Sequence, residues 1–325
     1  MQQTNKEAIF DFTSYLDVRR ARLEKALDFY LSERSESRES LEKNNWKPST
    51  LYEAMRYSAL SGGKRLRAAL TIAGAEAVER APQLKDLDPV ELVLPLCAAI
   101  EMIHAMSLIH DDLPCLDNDD LRRGKPTNHK VFGEAMALLA GDGLLVMAQE
   151  VLLSHCHEKI DKGALLSVSL ELCRATGPSG MVGGQVLDME FTGQSVSEEV
   201  VRNIHARKTG ALIKFSLWAG GALLQAPERQ LQSLSRLGEI IGLAFQITDD
   251  LLDVTGSAES LGKTPGKDQA SNKATWVSIF GVEGAKAKLK EMEKEGKELI
   301  KGSSLDNPSY PALQSLLSYS INREK

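Results

Sequence analysis

Apolar residues recur at helical spacing along almost the whole chain. Residues 8–33 set Phe10, Phe12, Leu16, Leu23, Leu27 and Tyr30 among charged positions, which predicts an amphipathic helix. The polar run 33–49 reads as a connection. Residues 51–60 are helical and stop at Ser61-Gly62-Gly63, where two glycines allow a tight turn into KRLRAALTIAGAEAVE. Long apolar helices are predicted over 89–110 and 134–155, followed by shorter helical patterns at 163–176, 198–225 and 231–254. A charged, exposed helix rich in Lys and Glu follows at 283–301. Residues 178–193 begin glycine-rich and then carry Asp188 and Glu190, and 262–275 is a lysine-bearing loop. No period-two alternation is long enough for a sheet, and no repeat of 20–50 residues occurs. The pattern predicts one all-α domain over 1–325, with roughly ten to thirteen helices.

Composition narrows the class. At 325 residues and 42% hydrophobic, the chain can bury a sizeable core, and all-helical bodies reach this length as one domain. A net charge of −6 argues against a general nucleic-acid binder, which needs a basic face. The run 89–110 is long enough to cross a bilayer, but Glu91, Pro95, Glu101 and His104 interrupt it. It reads as a core helix, and no transmembrane segment is predicted. The first residues carry acids early and lack a continuous apolar stretch, unlike a signal or transit peptide. Four cysteines show no CxxC spacing; Cys97, Cys156 and Cys173 sit in helical stretches and read as buried, reduced thiols. The expectation is a cytoplasmic protein, or a stromal one if it is a processed plastid form.

The chemistry concentrates in residues 110–129, HDDLPCLDNDDLRRGKPTNH. Five aspartates (Asp111, Asp112, Asp117, Asp119, Asp120) precede Arg122, Arg123 and Lys125 at the end of an apolar helix. Carboxylates there suit a hard cation such as Mg²⁺, and guanidinium groups suit phosphate oxygens. Alone, such a cluster would read as a solvated acidic turn. A second one changes that: residues 246–253, QITDDLLD, repeat an Asp pair after an apolar helix, with Asp249 and Asp253 one turn apart. Basic groups come from separate places: Lys64, Arg65 and Arg67; Arg122 and Arg123; Lys208; Lys263 and Lys273. If the helices pack side by side, these groups ring one mouth. A site for two diphosphates needs Mg²⁺ on one and a directly basic pocket for the other.

GGKRLR (62–67), DDLPCLD (111–117) with RRG after it, KTG (208–210) and QITDDLLD with GKTPGKD resemble, in order and spacing, the motif set of the trans-isoprenyl diphosphate synthases. The stretch SLIHDDLPCLDNDDLRRGKPTNHKVFGE is especially similar to bacterial and plastid-type geranylgeranyl diphosphate synthases. The resemblance implies an all-α bundle around a deep apolar channel, usually homodimeric. It implies that Asp111 and Asp117 ligate two Mg²⁺ ions and Asp249 a third, with Asp112, Asp250 and Asp253 in support. Pro114 disturbs the backbone and lets the chain curl back between Asp111 and Asp117. Arg122, Lys208 and Lys263 complete the implied allylic diphosphate site, and Lys64, Arg67, His104 and Arg123 hold isopentenyl diphosphate. On its own, His104 would read as a core histidine. Thr209 and Gln246, with Lys208, form the implied catalytic group, their oxygens aimed at developing positive charge.

Two departures from the commonest family pattern, Ala68 and Ala135-Met136, bear on packing or substrate preference rather than on a ligand. A terpene cyclase would lack the second diphosphate pocket, and a regulatory subunit tends to lose one Asp motif. A plain acidic-helix interaction protein explains neither the ordered motifs nor the Gly-Gly-Lys-Arg turn. For product length the helix before Asp111 serves as a ruler. At about 1.5 Å per residue, Ser107 lies roughly 6 Å, Ile103 about 12 Å and Ile100 about 16 Å below Asp111. Relatives that stop at C15 commonly close the channel with an aromatic near Met106 and Ser107. Neither is aromatic here, so the expected product is C20, geranylgeranyl diphosphate, with C15, farnesyl diphosphate, as the alternative.

Overall fold

A computed structural model of the chain describes residues 10–32, 49–255, 273, 275–305 and 307–323. Nearly all of the predicted connection 33–49 and most of the lysine-bearing loop, including Lys263, lie outside the described residues. Helix α1 (Phe12–Tyr30) starts where the Asp11 carboxylate accepts from the Ser14 amide at 3.0 Å. It is followed by α2 (Ser49–Ala59), α3 (Leu66–Glu76) and α4 (Pro89–Asp111). Helix α4 has Pro89 in its first turn and Asp88 as its cap, accepting from the Val90 amide. Its apolar residues run all round the helix, so it can only be a central one, and most of it is buried.

A five-residue helix α5 (Asn128–Phe132) leads to α6 (Glu134–His155), α7 (Lys162–Thr176), α8 (Met181–Phe191) and α9 (Glu198–His205). Next come α10 (Ala211–Leu223), α11 (Glu228–Thr255), α12 (Trp276–Gly302) and α13 (Tyr310–Asn322). One apolar cluster centres on α4 with α1, α2, α6 and α7; a second centres on α11 with α12 and α13. Helices α3 and α10 contribute side chains to both and join them. Residues near the C-terminal ends of α4 and α11, Asp111 and Asp249, line one cavity.

Four local features depart from the periodicity. The predicted helix 198–225 is interrupted by a π-helical turn, Ala206–Gly210, which carries Lys208 and Thr209. Such turns insert one residue and re-aim the side chains around it. Its neighbours approach through glycines: a Cβ at Gly184 of α8 would lie 2.1 Å from the Lys208 amide nitrogen. The glycine-rich stretch 178–193 is thus a helix whose small residues serve contact. The only strands among the described residues are Leu121–Arg122 and Lys125–Pro126, an antiparallel pair closed by Arg123 (φ 54°) and Gly124 (φ 75°). Two positive-φ residues match the twist of such a hairpin. Helix α13 carries no charged motif, and no sequence-based expectation covers it.

Cys173 corrects the expectation for the thiols. It is exposed, with its sulfur accepting from the Gln149 amide, because α7 buries only the face of Val168, Leu172 and Thr176. Cys97 is buried and Cys115 exposed, while Cys156 is half-buried.

Candidate active site

Helix α4 ends at Asp111, and the chain then curls back so that the Asp117 amide donates to the Asp111 carbonyl at 2.8 Å. This holds Asp117 close to Asp111 at the mouth of a cavity of about 400 Å³. Asp111, Asp249, Lys208, Thr209, Met106 and Ser107 are among the residues that line it. Ile103 does not line it; at 1% exposure it packs in the core beneath. A second cavity, about 440 Å³, is lined by Lys64, Arg65, Arg67, Glu101, His104, Arg123, Tyr319 and Arg323. Arg67, His104 and Phe245 border both cavities.

The carboxylates of the first cavity stand near a few basic groups. Burial pushes the Asp111 carboxyl up to about 6, against the pull of Lys208, and the negative charge of Asp117 adds to the rise. Lys208 donates to Asp188 at 2.6 Å, and Lys273 stands 3.6 Å from Asp117. Asp249 is held by Arg323 at 2.6 Å. Asp112 is turned away: Arg122 grips it in a forked pair, with Nε donating at 3.0 and 3.2 Å. Arg122, expected on the allylic diphosphate, spends its fork on Asp112 and also lies 3.5 Å from Asp119.

Asp250 and Asp253 are buried at 2% and 3% exposure. Asp250 accepts from the Trp276 amide at 2.7 Å and from Gln246 Nε2 at 3.2 Å. Gln246, expected to face reacting carbons, instead sits behind Thr209, whose hydroxyl donates to Gln246 Oε1 at 2.7 Å. Adjacent residues on a helix point about 100° apart; Asp249 lines the cavity, while Asp250 is turned toward Trp276 and Gln246.

The second cavity is electropositive. Glu101 is its one carboxylate and is already paired with Arg65 at 3.2 Å, both buried. Desolvation lowers the Arg67 guanidinium from its usual range, and its Nε finds no hydrogen-bond partner among the described residues. Desolvation, reinforced by Arg67 and Arg123, drives His104 well below the usual histidine range, so it is neutral. Arg123 donates to Ser61 at 3.2 Å and to the Gly62 carbonyl, while Lys64 lies over the Tyr319 ring at 5.0 Å. An unsatisfied Arg67 Nε in a cleft rich in positive charge suits a multiply charged anion. The motifs did not reveal Arg323, Tyr319 or the Asp188–Lys208 pair. Only an isolated Asp188 after the glycines, and an arginine at the end of the last helix, could have hinted at them.

A family model described as polyprenyl synthetase matches residues 48–303. The chain belongs to the polyprenyl synthetase family. It is 45% identical to a farnesyl diphosphate synthase of Bacillus subtilis, over 90% of this chain and 93% of that one. It is 40% identical to a chloroplastic geranylgeranyl pyrophosphate synthase of Capsicum annuum, over 93% and 76% of the two chains. A crystal structure of a Helicobacter pylori geranyltransferase, complexed with magnesium and isoprenyl diphosphate, superposes with TM-score 0.76 at 30% identity. That match covers 95% of this chain and 96% of the other. As a polyprenyl synthetase the chain is a trans-prenyltransferase acting on isoprenyl diphosphates, with the all-α fold described above. Prenyl synthases of this family use Mg²⁺.

The residues present fit that ion in a particular way. No three His, Cys, Asp or Glu side chains among the described residues form a cage by themselves. Two carboxylates facing one cavity, Asp111 and Asp249, are what Mg²⁺ accepts when substrate oxygens and water supply its other ligands. Burial destabilises the charge on Asp111, and a cation beside it would relieve that penalty.

Proposed function

We propose that this prenyltransferase condenses isopentenyl diphosphate head-to-tail (1'-4) with allylic diphosphates and releases mainly geranylgeranyl diphosphate. The observation that carries this is the pairing of two cavities across Arg67, His104 and Phe245, one faced by carboxylates and one by cations. The carboxylate-faced cavity takes the allylic diphosphate, with Asp111, Asp117 and Asp249 holding up to three Mg²⁺ ions. Lys208 anchors its phosphates, with Lys263 assigned there on the motif. When bound, Mg²⁺ supplies charge neutralisation to the departing diphosphate. Thr209 presents its oxygen to the positive carbon, and the apolar wall of Met106 and Leu108 keeps water from it. The cationic cavity takes isopentenyl diphosphate on Lys64, Arg67, Arg123 and neutral His104.

Neither Met106 nor Ser107 is aromatic, which supports C20. The farnesyl diphosphate synthase relative, together with the packed Ile103 below the cavity, supports C15 as the second reading. A homodimer is proposed from the outer face of α6 and α7. There Leu138, Leu139, Val146, Leu153, Leu166 and Leu170 are 47–70% exposed, an apolar stripe that calls for a partner surface.

The deciding experiment incubates the purified chain alone with Mg²⁺, radiolabelled isopentenyl diphosphate and an allylic starter. C20 alcohol after phosphatase treatment is expected, with a dimer by light scattering. A C15 product overturns the length assignment, and no product without a second protein points to a regulatory subunit.

Arg67→Ala tests the assignment of the two cavities. Loss of a charge-assisted contact is expected to raise the KM for isopentenyl diphosphate roughly 10- to 100-fold, and that for the allylic substrate less. The opposite ordering would mean the cavities are assigned the wrong way round.

A further inference from the structure

Asp250 is buried and faces away from the cavity that Asp249 faces. Its two oxygens have separate partners. Oδ2 accepts from the Trp276 amide at 2.7 Å and lies 3.5 Å from His205 Nε2. Oδ1 accepts from Gln246 Nε2 at 3.2 Å. Gln246 Oε1 in turn accepts the Thr209 hydroxyl at 2.7 Å, and Thr209 lines the cavity. The Trp276 amide, Asp250, Gln246 and Thr209 form one chain of hydrogen bonds with a direction.

That direction follows from the chemistry of Asp250. A carboxylate only accepts, so the Gln246 amide must turn its NH₂ toward Asp250 and its oxygen toward Thr209. The Thr209 hydroxyl is then obliged to donate backward, which leaves its lone pairs facing the cavity. We propose that Asp250 is a positioning residue rather than a metal ligand: through Gln246 it sets the polarity of the Thr209 hydroxyl toward the reacting carbon. This rests on the prenyl-transfer reading above and adds to it the residue that makes Thr209 an electron-rich group.

Asp250→Asn keeps the shape and reverses the direction. The introduced amide oxygen is retained by the Trp276 amide, so its NH₂ faces Gln246. Gln246 flips, its NH₂ now donates to Thr209, and a lone pair of Thr209 is consumed. Turnover is expected to fall about 10- to 100-fold, somewhat less than when a whole stabilising group is removed. Binding of Mn²⁺ with inorganic pyrophosphate, read by electron paramagnetic resonance, should stay within about twofold of the unmodified protein. Asp249→Asn should weaken that binding sharply.

The discriminating variant is Gln246→Glu together with Asp250→Asn. It conserves the charge of the pair and restores an acceptor to every donor. The new amide at position 250 donates to the new carboxylate at position 246, and the Thr209 hydroxyl donates to that carboxylate as well. Most of the lost turnover is expected to return. If Asp250→Asn alone does not fold, this double variant carries the test: folded and active supports the proposal, folded and inactive overturns it. Loss of Mn²⁺ binding in Asp250→Asn, near-normal turnover in it, or no recovery in the double variant would each overturn it. The binding arm needs no turnover, so absent prenyl transfer in the unmodified protein would count against the proposed reaction separately.

Discussion

Asp111→Ala and Asp249→Ala are each expected to lower turnover by about two or more powers of ten, with the helical circular dichroism unchanged. Asp111 is the last residue of α4 and Asp249 lies near the end of α11, and both face the same cavity. Asp249 also pairs with the buried Arg323 at 2.6 Å, so the melting temperature of its alanine variant is read beside its turnover. Asp111 is in fact a liability to the metal-free fold. Its folded carboxyl stands at about 6, above the usual carboxylate value, so burial penalises its charged form. The sign follows: this group costs stability at neutral pH, and the penalty is relieved as pH falls through about 6. Asp111→Ala should therefore not lower the melting temperature of the metal-free protein at about pH 7. Chelation should abolish turnover in the unmodified protein and added Mg²⁺ restore it. Near-normal turnover in both alanine variants would remove the metal assignment.

Met106→Tyr is expected to move the main product from C20 to C15. Met106 and Ser107 border the cavity one to two turns below Asp111, while Ile103 and Ile100 are packed at 1% and 0% exposure. The growing tail must therefore pass Met106 and displace side chains beyond it. Methionine is unbranched and polarisable, and it moves aside at low cost. A tyrosine ring is rigid, and its hydroxyl would need a partner in an apolar wall. Overpacking should also cost about 1–3 kcal/mol of stability, so the variant's melting temperature must be read beside its product. Continued C20 product from a folded Tyr variant would put the floor of the channel elsewhere.

Much of the site was legible because its signals are local. Asp111, Lys208 and Thr209 line one cavity with Asp117 held close by, as the motifs implied, and Arg67, His104 and Arg123 line its neighbour. The resemblance gave Asp112 and Asp250 only a supporting part and named no partner for either. Asp112 is gripped by Arg122, and Asp250 by Trp276 and Gln246. Each is one residue from a cavity-facing carboxylate and points elsewhere, a consequence of the helical turn that no motif spacing displays.

The sequence by itself determined the all-α class, the central place of α4 and the chemistry of the mouth. Apolar periodicity, a helix apolar on every side, and carboxylates beside guanidinium groups are properties of neighbouring residues. Tertiary structure alone decided which charges meet. Arg323 reaches Asp249 from far along the chain, at the end of a helix that carries no charged motif. Lys208 meets Asp188 because Gly184 lets α8 close on a π-helical turn, and the extra residue of that turn is invisible to a 3.6-residue pattern. Such pairings depend on how closely helices approach, and that distance is set by side chains far apart in the chain.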